Sequence, residues 1–317
     1  MKKFLLYFFL LASAFSIGIA FFYYRQITND KILSPLPDFL NNNENKEVST
    51  LDFWLPQIIG LFSEKDNAPV ITAKSALVYD LTDDKVLFEK NPHERLPMAS
   101  LTKTMTAVVA IENKRKDNVY TVTPNDLVGE NVMGLSSGES LSLEELLHGL
   151  VLNSGNDAAE VLAENTLGRG EFITAMNKKA KSLGLKDTNF TNPSGLEGDG
   201  DQHTTSYDLL VLTRFALEHY PLFAKVVSTP EYFIDSTDSH KAFDLVNETN
   251  LLTSYPGVKG VKDGYTYEAG LCLVTYLDYK GHKLIGVILG SDDRRGEMKM
   301  LLDYSLNSIG IKPPEHS

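Results

Sequence analysis

The period of hydrophobic positions changes along the chain. Phe4 to Tyr24 is uncharged and mostly apolar, behind Lys2 and Lys3. About 20 such residues cross a bilayer as a helix, and the two lysines favour a cytoplasmic N-terminus with the rest of the chain outside. Ala12-Ser13-Ala14 also reads as a signal-peptidase site. Apolar residues continue through Ile17, Ile19, Phe21 and Phe22, so an uncleaved signal anchor over 1–24 is the expectation. Both readings export the domain. Residues 25–69 read as a linker, with Pro35, Pro37 and a run of asparagines from Asn41 to Asn45. Inside it, Leu51, Trp54, Leu55, Ile58, Ile59 and Phe62 recur at helical spacing. That face either docks on the main domain or lies on the membrane interface.

From residue 70 the pattern is that of a folded domain, expected over 70–312. Lys74–Leu81 and Lys85–Glu89 predict a hairpin turning at Thr82-Asp83-Asp84. A helix starting near Ala99 and apolar through Glu112 is expected to cross the core. Leu143–Leu152, Asp157–Leu167, Glu171–Leu183 and Thr205–His219 predict further helices, with loops at Asn192–Gly195 and Glu197–Asp201. Strand signals return only near the end, at Gly260–Thr266, Leu271–Leu277 and Lys283–Leu289, before a helix from about Arg294 to Asn307. Strands at both ends with helices between them predict one α/β (α+β) domain whose sheet mixes early and late segments.

Composition narrows the function classes. With 30 Lys+Arg against 42 Asp+Glu the net charge is −12, which argues against a nucleic-acid binder. The single cysteine, Cys272, excludes an internal disulfide and a Cys-based zinc site, and its apolar neighbours predict a buried position. The seven histidines show no H-E-x-x-H or other tight ligand spacing.

Chemistry concentrates at Ser100 and Lys103. Three residues apart on a helical turn, their side chains share one face. A lysine desolvated among Leu101, Met105 and Val108 has its pKa lowered toward that of a base able to take a serine proton. Ser154-Gly155-Asn156 adds a hydroxyl and a carboxamide suited to proton relay and amide binding. Lys262-Asp263-Gly264 begins a late strand with a cation and a glycine that admits close approach. The backbone N–H groups of Ser100 and Tyr265 are candidates for an oxyanion hole.

Serine-x-x-lysine, then serine-x-asparagine, then lysine-x-glycine on a late strand resembles the penicillin-recognising active-site serine enzymes. Pro97–Ala107, Asn153–Ala159, Asn189–Leu196, His203–Ser206 and Gly264–Gly270 extend the likeness, and Lys74 to Asn307 resembles the low-molecular-mass D-alanyl-D-alanine carboxypeptidases. The resemblance implies a β-lactamase/transpeptidase-like fold with an inserted helical cluster, and an acyl-enzyme mechanism on peptidoglycan stem peptides with no metal or cofactor. It gives Ser100 the role of nucleophile, Lys103 that of base and Ser154 that of proton relay. Substrate binding falls to Asn156, Lys262, Asp263, Gly264, Tyr265 and Thr266, and β-lactams are implied as acylating mimics.

Two positions depart from the family pattern. Asp263 stands where a threonine is usual, and Lys259 where an aspartate is common. The threonine is expected to hold the substrate's terminal carboxylate, and an aspartate at ~4 Å would repel it by about 4 kcal/mol at an effective dielectric near 20. Pairing of Asp263 with Lys259 or Lys262 would relieve that. A catalytically weak cell-wall-peptide binder and a D,D-endopeptidase are the competing readings. A class A β-lactamase fits less well, because no secure counterpart of its deacylating carboxylate is present.

Overall fold

The computed structural model describes residues 68–316 except Asn250. The predicted anchor, almost all of the linker and the Leu51–Phe62 stretch lie outside the described residues. Among the described residues no helix is long and apolar enough to cross a membrane.

The hairpin forms as predicted: β1 (Ser75–Asp80) pairs antiparallel with β2 (Lys85–Lys90). Two short strands follow, β3 (Tyr120–Thr121) and β4 (Ser140–Leu141), which pair with each other, and then a second small hairpin of β5 (Glu231–Ile234) and β6 (Phe243–Val246). Sequence reading expected no strands in this middle region. Segments of two to four residues are too short to show an alternating period. The late strands β7 (Val258–Thr266), β8 (Gly270–Tyr279) and β9 (His282–Ser291) complete a five-stranded antiparallel sheet in the order β2-β1-β9-β8-β7. Early and late segments therefore do share one sheet, and β7 is an edge strand.

The alternation of side chains explains the layers. On β9, Ile285, Val287 and Leu289 join the core under the helical cluster, while Leu284 and Ile288 join a second core on the other face. That second core is completed by Met298, Leu301, Leu302 and Leu306 of the C-terminal helix, Arg294–Ser308.

Between β2 and β7 lie α1 (Lys103–Glu112), α2 (Leu143–Leu152), α3 (Asn156–Thr166), α4 (Arg169–Ser182), α5 (Ser206–His219), α6 (Pro221–Val227) and the single turn α7 (Leu251–Ser254). The C-terminal helix is α8. Helix α2 starts at a capping box in which Ser142 and Glu145 satisfy each other's backbone N–H groups. Helix α1 is buried from Lys103 through Ala110, as its apolar run predicts. It does not begin at Ala99: residues Ala99–Thr102 form a 3-10 turn, with Ala99 at φ 49 and the Thr102 hydroxyl donating to the Ala99 carbonyl at 2.8 Å. The tighter turn precedes the α-helix and carries Ser100 at its second position.

Candidate active site

Four segments meet above the start of α1. The 3-10 turn brings Ser100, the first residue of α1 brings Lys103, the first residue of α3 brings Asn156, and β7 closes the opposite side. Lys103 is fully buried. Its Nζ lies 2.9 Å from Ser100 Oγ, 2.7 Å from Asn156 Oδ1 and 2.6 Å from the Ser194 carbonyl. Asn156 Nδ2 donates to the Glu130 carbonyl at 3.1 Å, which turns its Oδ1 toward the lysine. The amide and the carbonyl can only accept, so they fix two N–H directions of the amine. The third direction points at a hydroxyl that can also donate. A neutral Lys103 thus aims its lone pair at the Ser100 proton. Burial, then the nearby Lys262 charge, push the Lys103 pKa well below the ordinary lysine range, against smaller opposing effects of Asp263, Glu248 and Asp157.

Local sequence chemistry accounts for this geometry. Asp157, nearly buried, accepts backbone N–H groups from Met133, Gly134, Leu135 and Ala158 at 2.8 to 3.0 Å. It welds the Asn131–Leu135 segment to the start of α3, and Asn156 N adds a bond to Asn131 O at 2.8 Å. Asn192 Oδ1 accepts from Gly195 N at 2.7 Å and from Ser194 N at 3.2 Å, folding the loop that offers the Ser194 carbonyl to Lys103. Gly195 is at φ +91, and a Cβ there would fall 2.0 Å from the Ala99 carbonyl, so only glycine fits against the Ser100 turn. Non-glycine residues with positive φ gather here too: Ala99, Glu130, Asn131 and Ser154. Such strain persists where surrounding contacts enforce it, and it points to a functional locus.

Ser100, Asn156, Tyr265 and Thr266 line a cleft of about 760 Å³, with Glu130 and Tyr267 at its rim. Gly264 lets β7 abut the serine: a Cβ on it would sit 2.9 Å from Ser100 N. Ser154 is buried at the turn two residues before Asn156.

On β7, Lys262 and Asp263 hold each other. Lys262 Nζ bonds Asp263 Oδ1 at 2.9 Å and the Asp263 carbonyl at 3.1 Å. Asp263 pairs with Lys262, as one reading allowed, but its second partner is Arg294 of α8 and not Lys259, which is exposed. Arg294 also donates to the Gly264 carbonyl at 2.7 Å. Burial would raise the Asp263 pKa, yet the Lys262 and Arg294 charges outweigh it and hold the carboxyl below its usual range. The aspartate is buried and turned toward α8, so two cations answer the predicted repulsion.

Arg294, Ser194 and Asp157 were not among the sequence candidates. The nearest signal was the Asn192-Pro193-Ser194-Gly195 turn itself, whose carbonyl role no side-chain pattern reveals. Among the described residues, a grouping able to hold a metal ion is Asp80, Asp83 and His282. It lies at the hairpin ends of β1 and β9, where Asp80 Oδ2 and His282 Nδ1 form a 2.6 Å hydrogen bond.

Comparison with known proteins supplies relatives for the chain and its fold. The D-alanyl-D-alanine carboxypeptidase DacF of Bacillus subtilis is 36% identical over 251 residues, which cover 76% of this chain and 64% of the relative, so the match spans less than two thirds of that protein. A crystal structure of a D-alanyl-D-alanine carboxypeptidase from Mycobacterium tuberculosis superposes with a TM-score of 0.71 at 30% identity, covering 80% of this chain and 97% of that one. Penicillin-binding protein D2 of Listeria monocytogenes, in its cefotaxime-bound form, gives 0.67 at 27% identity over 76% of this chain and all of its own. The sheet of early and late strands is thus the penicillin-binding, transpeptidase-like fold. The family model described as D-alanyl-D-alanine carboxypeptidase matches residues 63–293, and the chain belongs to that family.

Proposed function

We propose that this protein is a serine D-alanyl-D-alanine carboxypeptidase that removes the terminal D-alanine from peptidoglycan stem peptides. The observation that carries the reading is the Lys103 amine, buried and held by two obligate acceptors with its third direction on Ser100 Oγ. Neutral Lys103 takes the hydroxyl proton as Oγ attacks the carbonyl between the two D-alanines. The oxyanion is received by the N–H groups of Ser100 and Tyr265. Ser154 passes a proton to the leaving amine, D-alanine departs, and water then attacks the Ser100 ester to release the shortened peptide. Asn156 orients Lys103 and faces the substrate backbone from the cleft wall. Thr266 and Tyr265 line the strand edge where an extended peptide would lie. β-Lactams acylate the same serine, consistent with the cefotaxime-bound relative.

Incubation with a D-alanyl-D-alanine pentapeptide should release one D-alanine per peptide, and penicillin should add its mass to the protein. A penicillin adduct that persists in Ser100→Ala would remove Ser100 from the role of nucleophile. Absence of D-alanine release from the wild type would favour the weak peptide binder.

The N-terminal run behind Lys2 and Lys3 supports a membrane-anchored enzyme with its domain outside the cytoplasm. Intact-mass measurement of the membrane-extracted protein should retain residues 1–24; recovery of a soluble form beginning after Ala14 would replace the anchor with a cleaved signal.

A further inference from the structure

Arg294 reaches β7 from the first turn of α8 and engages it twice. Nη2 bonds Asp263 Oδ2, and Nη1 donates to the Gly264 carbonyl at 2.7 Å. The Gly264 carbonyl and the Tyr265 N–H are opposite ends of one planar trans peptide group, so they point in opposite directions. With the carbonyl end on the guanidinium, the N–H end faces away from Arg294. Tyr265 lines the cleft together with Ser100, and Gly264 abuts Ser100 N directly. A cation on a carbonyl oxygen draws density through the amide and strengthens its N–H as a donor. A guanidinium fixed at two points also holds the peptide plane.

We propose that Asp263 and Arg294 form a clamp that orients and polarises the Gly264–Tyr265 peptide as an oxyanion donor. The inference rests on the acyl-enzyme reading above. Asp263 anchors the guanidinium and makes no contact with substrate, and Arg294 is a positioning residue that acts through the Tyr265 N–H. The aspartate at a position where threonine is usual then has a use. It fixes Arg294 in register with one peptide group, with Lys262 Nζ on its other oxygen.

The test is rapid-mixing acylation by penicillin, paired with difference infrared spectra of the acyl-enzyme ester carbonyl, in wild type, Arg294→Gln, Arg294→Lys and Asp263→Asn. Removing an oxyanion donor costs about 10²- to 10³-fold in rate, and weakening one should cost less. Arg294→Gln should lower the acylation rate constant by roughly tenfold to a hundredfold and change the penicillin dissociation constant by less than about threefold, with the ester band moved to higher wavenumber. Arg294→Lys should recover part of both the rate and the band position, and Asp263→Asn should move both in the direction of Arg294→Gln by a smaller amount. A loss confined to the dissociation constant, or slower acylation with an unmoved band, overturns the clamp. A wild type that forms no acyl-enzyme overturns the serine-peptidase reading itself. If Arg294→Gln does not fold, Asp263→Asn carries the same two readouts.

Discussion

Two lysines, one at the start of α1 and one on β7, are both almost without solvent contact, and they have opposite company. Lys103 is held by a hydroxyl, an amide oxygen and a backbone carbonyl. Lys262 is held by a carboxylate and the carbonyl behind it. Burial is equal, so the partners make the difference. Neutral acceptors leave an ammonium uncompensated and favour its deprotonation, whereas a carboxylate at 2.9 Å makes an ion pair. One residue type thus occupies two unlike electrostatic settings.

The contrast breaks hardest at Lys103. Lys103→Met should slow penicillin acylation by about 10³-fold, within the range of a lost general base, as read by stopped-flow. Next comes Asp263→Ala, which leaves Lys262 and Arg294 without their shared anion. It should cost about 3 kcal/mol in urea unfolding, since removing one partner exposes an uncompensated buried charge. Gly264→Ala comes third: its Cβ meets Ser100 N at 2.9 Å, and displacement of β7 should slow acylation by roughly tenfold, following the sensitivity of catalysis to small misplacements.

A pH series sharpens the same comparison. Acylation should rise with pH through the lowered pKa of Lys103, because the base must be neutral. Between that folded-state value and the ordinary lysine range near 10.4, the unfolded chain binds a proton that the folded chain lacks, so stability should increase with pH across the window. Lys103→Met should flatten that increase. The smallest effect is expected at Tyr267, 92% exposed at the rim: Tyr267→Ser should alter stability by no more than about 0.5 kcal/mol.

Much of the scaffold was legible because it is periodic. The helix at Leu143–Leu152 announces itself through its apolar stripe, and the Thr82-Asp83-Asp84 turn separates two apolar strand runs. Ser100 and Lys103 were readable because their spacing is local. Arg294 and Ser194 were not. Ser194 meets Lys103 across 91 residues of chain and Arg294 meets Asp263 across 31, and a partnership of that kind leaves no trace in local spacing. Asp157 was hidden for another reason: at the start of a helix an aspartate is ordinary, and only the fold shows that its carboxylate gathers four backbone donors.

The sheet order has a consequence for when the cleft comes into being. Strand β1 is flanked by β2 and by β9, with Ser75 opposite Leu289. A nascent chain that stops short of His282 has Ser100, Lys103 and Asn156, yet it lacks the strand that seats β1 and joins it to β8 and β7. Pairings over such sequence distances form late and slowly. The cleft is therefore framed only once β9 has been made, and a nascent chain that stops before His282 lacks the pairing that ties β1 to the strand beside Ser100.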